Sequence, residues 1–294
     1  MVTYTFIDFL ISTILALIML GIGMSIDVGD FRAVAKRPRA FFVGLAGQMV
    51  LLPFFAFLLA SKSGLNPSFQ VGIVILSLCP GGNTSNYVSY LVKANTALSI
   101  SLTSINGILT LFTIPLITNI ALRYFMGETG HFTLPFLPTM AQILLVTLLP
   151  ASIGVWIRYR NKRVSEVLEK PIRYITMVLL LAAFTILFLG SNPGSGPSIN
   201  LKDVKEIFPA ILALNIIGLS LGIFSGRLAG LSRRNAVTLA IEIGLQNTTL
   251  AILIGGTLLG NGDMIKPALI YATFSFWTTL AFAYWTRQRT PDWQ

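Results

Sequence analysis

One carboxylate stands apart from the other acidic residues of the chain. Ten of the eleven Asp and Glu fall in polar connections, tails or the ends of apolar runs; Glu242 lies inside the run 235–259. It follows Arg234 by eight residues, roughly 12 Å along a helix. Burying an unpaired carboxylate in hydrocarbon costs several kcal/mol, so the group must take a proton or hold a cation. No Lys, Arg or His occupies the interior of any apolar run, which leaves a proton or a bound sodium ion. Sodium is a hard cation and needs about five or six oxygen ligands. Gln246 stands at i+4 from Glu242, and Ser99 and Thr103 form a second i, i+4 pair. Ser85 and Asn86 follow a Pro-Gly-Gly sequence, and the carbonyls of Ile243 and Leu245 add oxygens if the chain unwinds there. A lone Ser or Thr in an apolar helix usually bonds its own backbone; several beside a single carboxylate suggest ligands.

The elements that carry these residues are interrupted. The run 68–93 contains Cys79-Pro80-Gly81-Gly82-Asn83-Thr84-Ser85-Asn86, which cannot continue a helix comfortably. The run 235–259 contains in turn the polar, Gly-bearing interruption Ile241-Glu242-Ile243-Gly244-Leu245-Gln246-Asn247-Thr248-Thr249. In a membrane such breaks persist only where they line a protein cavity. They lie five spans apart, and an odd offset makes the two helices antiparallel, as in an inverted-topology repeat with its binding site at the broken helices. The expected repeats are 1–126, with four spans, and 127–294, with five. Half-helices starting after Gly82 and after Gln246 would aim two positive helix ends at one point, favouring an anion. Asn83, Thr84 and Asn247 are placed to donate hydrogen bonds to it. The glycosylation patterns Asn83-Thr84-Ser85 and Asn247-Thr248-Thr249 lie too deep in apolar runs to be used.

Composition fixes the surroundings. Of 294 residues, 54% are hydrophobic and only 11% charged, with a mean hydropathy of +0.77. A soluble domain carries about a quarter of its residues as charges. Apolar runs fall near 6–26, 40–60, 68–93, 96–124, 136–158, 172–190, 206–228, 235–259 and 265–286. Each is long enough to cross a core of about 30 Å, giving an all-α polytopic membrane protein of about nine spans. Pro209, Asn215 and several small residues dilute the seventh. With nine spans, Lys62, Arg123, Lys202, Lys205 and Lys266 share one side, and the rest of the 21 Lys and Arg lie on the other. The basic side is cytoplasmic, so the N-terminus is outside and the C-terminus inside the cell's inner membrane. The net charge of +10 is thus a topology signal, not a nucleic-acid footprint. The first apolar run lacks the basic start of a cleaved signal and reads as a permanent span. One cysteine, Cys79, and one histidine, His131, exclude an intrachain disulfide, a thiolate cluster and a histidine-based metal site or triad. An enzyme is disfavoured for the same reasons, and a channel would be told from a carrier by conductance in place of saturable, counterflow-capable flux.

The chain resembles the bile acid:sodium symporter family. The likeness is strongest at Cys79-Pro80-Gly81-Gly82 through Ser85-Asn86, at Ala97-Leu98-Ser99 through Thr103, and from Glu242 to Asn247. The resemblance implies two crossed discontinuous helices in a core domain, roughly 40–124 and 206–286, and a moving panel domain, roughly 6–26 and 136–190. It implies a first sodium site at Ser85, Asn86, Ser99, Thr103 and Glu242, and a second at Gln48, Glu242, Ile243, Leu245 and Gln246. Substrate contacts are implied at Asn83, Thr84 and Asn247; Asn83 stands where several relatives have Thr. The implied activity is sodium-coupled symport of an organic anion, either bile-acid-like or a small carboxylate such as pantoate or a keto acid. A proton-coupled transporter or exchanger using Glu242 as carrier is the alternative. The expected partners are sodium, the anion and the lipid bilayer, with no nucleic acid and no obligatory protein partner.

Overall fold

The computed structural model describes residues 2–25, 38–127, 136–189 and 199–288, and every regular element among them is helical. A helix bonds its own backbone within one segment, which is what a chain without water around it requires. Helix α1 is Val2–Ser25. Helix α2 joins Pro38–Ala46, a π-helical turn Gly47–Leu51 and Leu52–Lys62. Helices α3, Pro67–Leu78, and α4, Asn83–Leu91, are the two arms of the first broken run. Helix α5 is Thr96–Met126. Helix α6 joins Phe136–Ile143, a π-helical turn Leu144–Leu148 and Leu149–Arg160, and α7 is Lys162–Leu189. Helix α8, Leu201–Leu228, precedes the second broken run. That run comprises α9, Arg233–Gly244, and α10, Thr248–Ile252, which continues in π-helical turns Leu253–Leu258. Helix α11 is Lys266–Gln288. His131, Arg32, Lys36, Arg37 and Arg289 lie outside the described residues.

Local chemistry sets the helix starts. Asn66 accepts from the Ser68 amide at 2.9 Å beside Pro67, and Asn95 accepts from the Leu98 amide at 3.2 Å. Asn200 and Asp203 form a reciprocal capping box at the head of α8. Asn247 caps α10 by accepting from the Leu250 amide at 3.0 Å.

By length and composition, four helices among the described residues suffice to cross a membrane: Pro38–Lys62, Ala141–Arg160, Leu201–Leu228 and Arg233–Leu258. Helix α5 makes a fifth if its arms Thr96–Thr110 and Phe112–Met126, bent by 59°, count as one; Pro115 lies just past the bend. The diluted run 206–228 is thus among the clearest spanning helices. Helix α7 starts ten residues before the apolar run at 172, because Lys, Arg and Glu are good helix formers and extend the helix beyond the apolar part.

Helix α1 packs along α6 and α7; α8 packs along α9 and α11; α3 lies against α2 and α5. The α8–α9 seam is built on small residues at i, i+4 spacing. A Cβ added at Gly222 would lie 2.2 Å from the Ala240 backbone nitrogen, and one at Gly226 2.6 Å from the Ala240-side neighbour Ala236. Large apolar side chains cover the outside, among them Phe42, Phe54, Leu116, Trp156, Phe224 and Trp277. Such a surface suits lipid. The broken run 233–258 is the enclosed one: 89% of its apolar window is buried, against 17% for Ala141–Arg160.

Candidate functional site

The two helix breaks touch. Helix α3 is followed by the extended Cys79, whose carbonyl accepts a hydrogen bond from the Asn247 amide at 3.1 Å. Gly82, ahead of α4, has φ +73° and ψ −151°, a conformation side chains rarely adopt. At Gly81 a Cβ would lie 2.8 Å from the Leu245 carbonyl oxygen, so the glycine lets one unwound backbone approach the other. In the second break, Leu245 is extended, with φ −107° and ψ 133°.

Glu242, one turn before that break, is wholly buried. Its Oε1 accepts from the Thr103 hydroxyl at 2.6 Å and its Oε2 from the Ser99 hydroxyl at 3.0 Å. The Ser99 hydroxyl also faces Asn86 Oδ1 at 2.8 Å, and that of Thr103 faces it at 3.4 Å. Ser85 is buried and donates to the Gly82 carbonyl at 2.9 Å. The Ser85 hydroxyl also lies within reach of the carboxylate, so three hydroxyls gather on it, while no Lys, Arg or His among the described residues pairs with it. Hydroxyl donors leave the negative charge in place; a cation or a proton would neutralise it. Asn86 Nδ2 has no partner among the described residues.

A second cluster adjoins the break. Gln48, in the π-helical turn of α2, donates through Nε2 to Gln246 Oε1 at 3.1 Å and to the Ser77 carbonyl at 3.3 Å. Gln246 Nε2 donates to the Ile243 carbonyl at 2.7 Å, and Gln48 Oε1 is buried without a partner among the described residues. The i+4 relation read for Glu242 and Gln246 does not hold here. Helix α9 stops at Gly244, so Gln246 lies in extended chain and turns toward Gln48.

Of the residues expected around an anion, Thr84 is exposed and Asn247 half-buried. The Oδ1 of Asn247 caps α10, while its Nδ2 lies 3.5 Å from where a Gly82 Cβ would be, beside the start of α4. The Asn83 side chain lies outside the described part; its backbone opens α4. Helix α10 has five α-helical residues and runs on through the π-helical turns Leu253–Leu258. No group of three or more His, Cys, Asp or Glu side chains gathers among the described residues.

Two features were not read from the sequence. Asn106, one turn beyond Thr103 on the same face of α5, is buried with neither amide atom partnered among the described residues. Asn215 and Tyr271 converge on the Gly244 carbonyl; the only trace of Asn215 in the sequence was a polar residue in an apolar run.

A lipid-facing helical bundle with an enclosed oxygen cluster at two touching helix breaks is the build of a membrane carrier. Comparison with known proteins agrees: residues 12–192 match the Sodium Bile acid symporter family, and this chain belongs to that family. It is a transporter and not an enzyme. Relatives include the probable sodium/metabolite cotransporter BASS1, chloroplastic, of Arabidopsis thaliana, 28% identical over 87% of this chain and 61% of that protein. The uncharacterized sodium-dependent transporter YocS of Bacillus subtilis is 27% identical over 97% of this chain and 85% of its own length. The ileal sodium/bile acid cotransporter of Mus musculus is 29% identical over 84% and 68% respectively.

Proposed function

We propose that this chain is a symporter that uses the sodium gradient to carry an organic anion inward across the cell's inner membrane. The observation that supports this reading best is the buried carboxylate of Glu242, held by Ser99 and Thr103 with no cationic side chain paired to it among the described residues. One sodium ion takes Ser85, Asn86, Ser99, Thr103 and Glu242; another takes Gln48, Gln246, Glu242 and the carbonyls of Ile243 and Leu245. Each ion offsets the desolvation of the carboxylate and ties an unwound segment to a neighbouring helix. The anion then binds at the start of α4, with Asn83, Thr84 and Asn247 donating, and sodium and anion must raise each other's affinity by the same factor. The names of the relatives, which print bile acid or metabolite as cargo, favour a carboxylate, from bile-acid-like amphipaths to small acids such as pantoate or a keto acid.

The packing supports a division into two moving parts. Helices α1, α6 and α7 form the panel and α2–α5 with α8–α11 the core. The nine spans fall into two inverted repeats, 1–126 and 127–294, and the N-terminus lies outside. The test is a thermal-shift screen of taurocholate, pantoate and pyruvate on purified protein, in sodium and in potassium. Stabilisation by an anion only in sodium, lost in Glu242→Ala, is expected; equal stabilisation in both salts would overturn sodium coupling. A proton on Glu242 would neutralise the same buried charge, so proton-coupled transport is the second reading. Uptake into vesicles driven by a pH gradient without sodium would establish it.

A further inference from the structure

We propose that Asn215 and Tyr271 clamp the last carbonyl of α9 and so set the sodium affinity of the cluster around Gln246; this rests on the sodium-coupled reading above. In an unbroken helix the carbonyls of Ile243 and Gly244 would accept from the amides of Asn247 and Thr248. The break removes both donors, and buried carbonyls must find others. The Asn247 amide has gone to the Cys79 carbonyl at 3.1 Å. Ile243 is served by the Gln246 side chain at 2.7 Å. Gly244 is served from two other helices: Asn215 Nδ2 of α8 donates to its oxygen at 2.7 Å, and the Tyr271 hydroxyl of α11 donates to the same oxygen.

The clamp is closed and fully buried. A carbonyl only accepts, so Asn215 must present Nδ2 to Gly244. Its second amide proton is shared by the Tyr271 oxygen at 3.2 Å and the Thr279 hydroxyl at 3.4 Å, and its Oδ1 accepts from Thr278 at 2.8 Å. Asn215, Tyr271 and Thr279 are each at most 1% exposed. Gly218 keeps α8 close enough, since a Cβ there would lie 2.5 Å from the Ile243 oxygen. The Gly244 peptide is thereby fixed between Ile243 and Leu245, and Gln246 starts from extended chain that need not be unwound when the ion arrives. Asn215 and Tyr271 are positioning residues: they act through the backbone and reach no ion.

The experiment titrates detergent-purified full-length protein with NaCl against KCl at constant ionic strength, reading the melting temperature. Tyr271→Phe removes one oxygen and keeps the ring; Asn215→Ala removes the other donor. Each variant is expected to raise the midpoint of the sodium titration at least about fivefold, the effect of one lost hydrogen bond. The double variant should exceed the product of the two shifts, because it alone leaves the buried Gly244 carbonyl without a donor. Variants whose sodium midpoint matches the wild type would overturn the clamp, even with a lower melting temperature in potassium, because the role would then be structural alone. A wild-type protein indifferent to sodium would overturn the sodium-coupled reading and the clamp together, an outcome visible before any variant is made.

Discussion

Glu242 is the residue on which the energetics turn. Replacing it with Gln keeps the shape, removes the charge and leaves the Ser99 and Thr103 hydroxyls an acceptor. Glu242→Gln is therefore expected to fold, with a melting temperature in potassium equal to or above the wild type, and to lose its response to added sodium. A sodium response retained in full would remove Glu242 from the ion sites. Thr103→Val deletes the donor that sits 2.6 Å from Oε1 with little change of volume. Hydrogen bonds to charged groups are worth about 1.5–3 kcal/mol, so roughly a tenfold or larger rise in the half-saturating sodium concentration is expected in the same titration. Much of this residue chemistry was legible beforehand. A lone carboxylate in an apolar run and a Ser/Thr pair at i, i+4 are local patterns, and α5 does bring Ser99 and Thr103 to Glu242. Gln48 was named only through the family resemblance, because a glutamine in an apolar run carries no address. Asn215 was legible only as a polar flaw, since its partner carbonyl lies 29 residues away on another helix.

At the scale of elements, the breaks were written in Pro80-Gly81-Gly82 and in Gly244-Leu245-Gln246, and the helices stop close to both. Where the second helix resumes was less legible: α10 gives way after five residues to π-helical turns, and nothing in Leu253–Leu258 announces a change of hydrogen-bond register. The i+4 reading of Gln246 failed for the same reason, because a helix periodicity cannot be carried past a break whose first extended residue is Leu245. The α8–α9 seam offers a sharp test of packing. Gly222→Ala would set its Cβ 2.2 Å from backbone, which no rotamer change can relieve, and should cost at least about 3 kcal/mol. Gly107→Ala, in α5 with open space at the Cβ, should be neutral or stabilise by about 0.5–1 kcal/mol. Melting temperatures of the two variants measured side by side would show the contrast. Equal effects would mean that α8 and α9 do not meet as closely as described.

For the whole molecule, one charge pattern and one burial pattern have to agree. The enclosed run 233–258 requires neighbours on all sides, which α8, α11, α5 and α4 supply, while the exposed apolar faces of α2, α5 and α6 require lipid. A membrane then divides the polar connections into two sets. The end of α2 carries Lys62, and the head of α8 carries Lys202; the head of α7 carries Lys162, and the head of α9 carries Arg233. In the proposed topology the second set, richer in Lys and Arg, faces the cytoplasm. All four residues are exposed, and Cys79, the only native thiol, is buried, so single cysteines can be introduced without background labelling. In intact cells a membrane-impermeant maleimide should label Lys62→Cys and Lys202→Cys, and should reach Lys162→Cys and Arg233→Cys only after the membrane is opened. Labelling of all four from outside would mean that the helices between them do not cross, and the reverse pattern would invert the chain in the membrane. Either result would leave the Glu242 cluster intact as geometry but would reverse or remove the direction in which a sodium gradient can drive it.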